Sequence, residues 1–287
     1  MAVAGVGAAY LSHSDALLVD GLYSGVNFFS AMIAAKVSVA VLQPADRRYP
    51  FGYAAYEALY VNFRAMVLLG IMVFAVFGAL QKITTYATGG EVPKLVFEPI
   101  MIYAVVMVLI CASLAAWHYY NWQRSGKRSE LLITESKAAI VDGVISGGAG
   151  GGLVAASLLR GTTLDFIVPV ADSIVVLVMA ALIIRQPVLM FLGSLREVAG
   201  GAAEPAVVEQ MRTRIDELLS DVPFGLIELA ITKLGRTHYV VAYLNPDTPV
   251  EGAVVDALRN RIESACVEVL GDAKAELVIT ATPPYPK

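Results

Sequence analysis

Five mostly apolar runs, 16–42, 65–80, 99–117, 138–159 and 166–184, constrain the fold more than anything else in the chain. Helices of about 20 apolar residues cross the hydrocarbon core of a bilayer, where every backbone polar group must be paired within the chain. Each run therefore reads as a spanning helix. A sixth stretch, 1–11, is apolar but about half a span long, and the turn Ser12-His13-Ser14-Asp15 separates it from the next. The expected architecture is a six-helix membrane bundle with a truncated first helix. Only 16% of the residues are charged and the mean hydropathy is +0.66, against about 25% charged in soluble domains.

Charge divides the chain into two bodies. Residues 201–287 carry 8 Lys and Arg against 13 Asp and Glu, whereas residues 1–200 hold 13 and 12. The division predicts a transmembrane domain over 1–199 and a C-terminal domain over 200–287. In the second, 207–219 reads as an amphipathic helix, 225–233 and 238–244 alternate as strands, 254–270 is helical and 276–282 is a last strand. The order α-β-β-α-β makes a small, ferredoxin-like α+β domain, an open sheet with helices on one face.

Arg47 and Arg48 lie between helices two and three, and Arg124, Lys127 and Arg128 between helices four and five. The opposite loops hold Lys82, Lys94 and Arg160, offset by Glu91, Glu98 and Asp165. Positive-inside logic puts the first pair of loops, and with them the C-terminal domain, in the cytoplasm of a multi-pass protein, expected in a bacterial inner membrane. No basic stripe points to nucleic acid, and the N-terminus lacks the basic region of a secretory signal. Cys111 and Cys266 fall in different bodies and read as reduced packing residues.

Asp142 is the most costly polar residue of the apolar runs. A carboxylate at the centre of a membrane helix costs about 2.5–3.5 kcal/mol on insertion scales, so a polar cavity, partner or ion is expected around it. Ser146 lies one turn further on the same face. Asp20, Tyr23, Ser24 and Asn27 form a second polar stripe on helix two, and the two stripes can meet near mid-membrane. Their oxygens suit hard cations such as Mg, Mn or Fe(II). Asp20, about one turn into its helix, also reads as a solvated helix end or a dipole partner. Asn27 reads equally as interhelical glue. Asp172 is a further buried acid, with a hydroxyl or Arg64 as partner or a place on an ion pathway. The glycines at 143, 147, 148, 150, 151 and 152 point to close helix packing.

Together these pieces resemble the cation diffusion facilitator family. The resemblance rests on Ala16-Leu-Leu-Val-Asp20-Gly-Leu-Tyr-Ser24, on Pro44-Ala-Asp46-Arg-Arg-Tyr-Pro-Phe51-Gly52-Tyr53 with Glu57, on Glu135 through Asp142 and Ser146, and on the α-β-β-α-β tail. It implies a homodimeric antiporter, not an enzyme, that exports a divalent metal for protons, with the C-terminal domain as dimer module and no permanently bound cofactor. The family's pairs of His or Asp ligands fall here on Tyr23 and Asn27 and on Ala138 and Asp142. The resemblance thus implies a metal site of Tyr23, Asn27 and Asp142, with Asp20, Ser24, Ser146 and Asp172 as further pathway residues. Tyr49 and Tyr53 stand where the family commonly has His in the loop, and Thr280 and Thr282 where metal-binding tails have His or Asp. Zn, Mn, Fe, Co and Cd remain open as the transported ion. The alternative is a non-transporting relative that serves as membrane scaffold or sensor.

Overall fold

The computed structural model describes residues 1–124 and 130–284. Lys127 and Arg128, two of the cations used to orient the loops, lie outside the described residues. Five described helices are long and apolar enough to cross a membrane: Asp15–Ala40, Ala55–Ala87, Phe97–Arg124, Glu135–Ser157 within a longer helix, and Asp165–Ile183. Packing divides the chain into two compact units, Met1–Met32 with Arg64–Leu189, and Ile33–Phe63 with Met190–Lys287. By packing, residues 33–63 and 190–199 group with the tail.

In the first unit, helix α1 (Ala2–Ser12) ends on His13, whose φ of 56° is left-handed, and α2 (Asp15–Ala40) folds back along it. The two helices meet backbone to backbone. A Cβ added to Gly5 would sit 2.5 Å from the Gly21 Cα, so neither position has room for a side chain. Helices α3 (Ala55–Ala87), α4 (Phe97–Arg124) and α5 (Glu130–Ser157) follow. Three of the α5 glycines serve α4. A Cβ at Gly143, Gly147 or Gly150 would come within 2.8 Å of Cys111, 2.9 Å of Val108 and 2.3 Å of Ala104. Gly148 and Gly151 face open space. A 3-10 turn, Asp165–Val170, carries Pro169 and leads into α6 (Ala171–Ile183). The core of this unit gathers Leu17, Met72, Ile100, Met107, Leu153 and Val176.

Helix α7 (Arg185–Val198) continues past the last span and is absent from the sequence expectation. The second unit holds the tail. Helices α8 (Pro205–Leu219) and α9 (Gly252–Leu270) bury Met211, Ile215, Leu258 and Ile262 against strands β1 (Phe224–Leu234), β2 (Thr237–Pro246) and β3 (Ala273–Ile279). The sheet runs β1-β2-β3, antiparallel then parallel. The third strand begins at Ala273, three residues before the expected 276, because Gly271 with φ 84° ends α9 and the chain enters the sheet at once. Thr280 and Thr282 consequently lie beyond its end.

The loop between α2 and α3 belongs to this unit. Asp46 accepts hydrogen bonds from the backbone N–H groups of Arg48 and Tyr49, both at 2.7 Å, and from the Tyr53 hydroxyl at 2.8 Å. The Tyr49 N–H first, and then the Tyr53 hydroxyl, hold the carboxyl of Asp46 below its ordinary value. The loop docks on the hairpin turn of the sheet. The Tyr239 hydroxyl donates to the Phe51 carbonyl, and Arg236 pairs with Glu57 at 3.0 Å. Gly235 is required at that turn, since its φ is 61° and a Cβ would lie 2.3 Å from the Ala54 carbonyl oxygen.

Candidate cation site

Both polar stripes read from the sequence reach one cavity in the first unit. Asp20, Tyr23 and Ser24 of α2 and Asp142 and Ser146 of α5 line a space of about 20 Å³, with Met1, Met72, Met107 and Met179 among the other lining residues. That is room for about one water or a bare ion. The 3- and 4-residue helical spacing puts each set on one face, and the glycine contact with α4 fixes how closely α5 approaches.

Asp20 is the hub of this cluster. One carboxylate oxygen accepts hydrogen bonds from the Tyr103 hydroxyl of α4 and the Ser146 hydroxyl of α5, both at 2.8 Å. The residue is only 8% exposed, so the solvated helix end considered from the sequence is not what forms. The fold of α1 back along α2 and the Tyr103 ring of α4 cover it. Asp142 is exposed and accepts no hydrogen bond among the described residues. The two carboxylates are near enough to interact electrostatically, and both act on a shared space. Two acids facing one small cavity repel unless a proton or cation lies between them.

The remaining site residues read from the sequence lie elsewhere. Asn27 does not line the cavity. Its side-chain oxygen accepts a hydrogen bond from Arg64 Nη2 of α3 at 3.0 Å. The Arg64 Nε is buried without a partner among the described residues. Tyr23 is within electrostatic reach of both Arg64 and Asp142. Asp172 is fully buried at the start of α6, where it caps the N-terminus of α2. Its oxygens accept from Ser14 Oγ at 2.6 Å, Asp15 N at 2.8 Å, Ala16 N at 3.2 Å and Lys82 Nζ at 3.4 Å. The hydroxyl partner weighed for Asp172 is thus Ser14, and Arg64 serves Asn27 instead. Among the described residues, no group of three or more His, Cys, Asp and Glu side chains could hold a metal.

Residues 1–198 match the family model of the cation efflux transmembrane domain. The chain belongs to the cation efflux family. The match spans the helices that build the cavity, and members of the family are membrane transporters of metal cations rather than enzymes. No curated protein sequence matches the chain. As a multi-pass member of the cation efflux family, it carries a transported cation rather than a resident cofactor.

Arg64, Tyr103 and the cavity methionines were not singled out as site residues from the sequence. Each stands alone in an apolar run, so no local spacing marks it. Asp20 was found by its stripe, but its partners could not be.

Proposed function

We propose that this member of the cation efflux family moves a divalent transition-metal ion out of the cytoplasm in exchange for protons, through the cavity of Asp20 and Asp142. The observation that carries the reading is that two carboxylates from different helices line one small space. Tyr23, Ser24 and Ser146 add hydroxyl oxygens there, while Met72, Met107 and Met179 add thioethers. Carboxylates alone would suit Mg²⁺ or Ca²⁺. Thioether sulfur favours softer ions, so Fe²⁺, Co²⁺ and Cd²⁺ gain from this mixed lining, while its carboxylates also suit Mn²⁺. A site without His or Cys is a poor match to tetrahedral zinc. In this reading Asp142 is the principal ligand, with Asp20 beside it, and protons and metal compete for the pair. Asn27 is left to Arg64. The tail, residues 200–287, serves as a cytoplasmic dimer module of a protein in the bacterial inner membrane.

The test is flux in proteoliposomes under an imposed pH gradient, across Mn²⁺, Fe²⁺, Co²⁺, Zn²⁺, Cd²⁺ and Mg²⁺, with Asp142→Ala and Asp20→Asn beside the unmodified protein. Metal-dependent proton movement that both substitutions abolish is the expected result. If Asp142→Ala transports as well as the unmodified chain, the carboxylate cavity is not the transport site. The second reading, a non-transporting scaffold or sensor, draws on one observation, that a guanidinium is hydrogen-bonded to a position where the family places a ligand. It expects no flux of any metal and a stable dimer.

A further inference from the structure

We propose that Arg64 is a specificity-determining residue, a tethered cation that lowers the affinity of the acidic cavity for divalent ions. The inference rests on the carboxylate cavity being the transport site. Its starting point is where the guanidinium sits. Arg64 leaves α3 and donates from Nη2 to Asn27 at 3.0 Å. Asn27 lies one turn along α2 from Tyr23, which lines the cavity and lies within electrostatic reach of Arg64.

The guanidinium is not neutralised where it is. Among the described residues, no carboxylate lies within ion-pair distance of it, and its buried Nε has no hydrogen-bond partner. Arginine stays charged at any accessible pH. Arg64 is half-buried, and a guanidinium without an ion-pair partner is costly in a membrane helix. Arg64 and Asp142 both act electrostatically on Tyr23, so the field of the guanidinium reaches the rim of the cavity that an entering metal ion would occupy. Repulsion between a fixed unit charge and a divalent ion is twice that felt by a monovalent one. Arg64 therefore works against the ion that Asp20 and Asp142 attract, and it also keeps the Asn27 oxygen from turning toward the metal. An otherwise over-tight pair of carboxylates becomes a site that can release its load.

The experiment measures Mn²⁺ binding by titration calorimetry on the full chain in detergent, with melting temperature recorded for each variant. Arg64→Gln removes the charge and keeps a donor for Asn27, Arg64→Met removes both, and Arg64→Lys keeps the charge. Binding about tenfold tighter is expected in Arg64→Gln, with Arg64→Met at least as tight and Arg64→Lys near the unmodified protein. Binding by Arg64→Gln where the unmodified protein shows none would support the inference equally. Unchanged or weaker binding in both charge-removing variants overturns it, as does tightening by Arg64→Lys equal to that by Arg64→Gln. So does absence of binding in the unmodified protein and both charge-removing variants. Arg64→Met stands in if Arg64→Gln melts too low to titrate. Failure of the underlying reading looks different, since Asp142→Ala would then bind and transport Mn²⁺ like the unmodified chain.

Discussion

Replacing Asp172 separates a structural acid from a transport acid. Its carboxylate is fully buried and accepts from one hydroxyl, two backbone N–H groups and Lys82. Hydrogen bonds to a charged group contribute about 1.5–3 kcal/mol each, and they are not additive. Removing one partner of a buried ion pair costs about 3–5 kcal/mol, because the other charge is stranded. Asp172→Ala leaves Lys82, only 10% exposed at its side chain, with the part-exposed Asp15 at 3.3 Å as its remaining ion-pair partner. It also leaves the first N–H groups of α2 uncapped. A loss of about 3–5 kcal/mol is therefore expected for Asp172→Ala, and roughly 2–3 kcal/mol for Asp172→Asn, which keeps one acceptor oxygen. The assay is unfolding in mild detergent, paired with the Lys82→Met single and double variants. Lys82→Met should recover part of the loss in the double variant, since no half-compensated cation is then left. Stability within about 1 kcal/mol of the unmodified protein, combined with lost metal flux, would refute this account and return Asp172 to the ion pathway.

Two further outcomes follow from the packing. Gly150→Ala should lower stability by about 1–3 kcal/mol by forcing α5 off α4, whereas Gly148→Ala, facing open space, should be neutral or slightly stabilising; thermal melts of the pair check this. In the tail, burial first and the nearby Glu263 second push the Cys266 thiol up to about 11. Because the folded value lies above the unfolded one, this contribution to stability is complete below about pH 8.5 and is lost as pH rises toward the folded value. Alkylation of Cys266 at pH 8 should accordingly run on the order of a hundredfold slower in the native protein than in denaturant.

The spanning helices were legible because length and hydropathy alone define them, and lipid leaves the backbone no other solution. Helix α7 was not. Pro187 in its first turn reads as a breaker, although proline is tolerated there because the first N–H groups have no intrahelical acceptor. The two polar stripes were legible from 3- and 4-residue spacing, and Asp20, Tyr23, Ser24, Asp142 and Ser146 do share one cavity. What spacing could not give was which residue from a third helix would claim each polar group. Tyr103 took a lone pair of Asp20, Arg64 took Asn27, and Ser14 with Lys82 took Asp172. Partners chosen across helices depend on rotation about each axis, which a one-dimensional pattern leaves undetermined.

The glycine face of α5 has a consequence for the residue next to it. Gly143, Gly147 and Gly150 present α4 with bare backbone, so no side-chain knob of α5 is lodged between the ridges of α4 along that line. The knobs come from the other side: Cys111, Val108 and Ala104 of α4 rest their side-chain carbons on the bare backbone of α5. Asp142 precedes the first of these glycines in the chain, so an axial shift of α5 would lift these side chains off their seats and break the hydrogen bond from Ser146 to Asp20. The interlocked seam would thereby limit how far the acid pair can open and close around an ion.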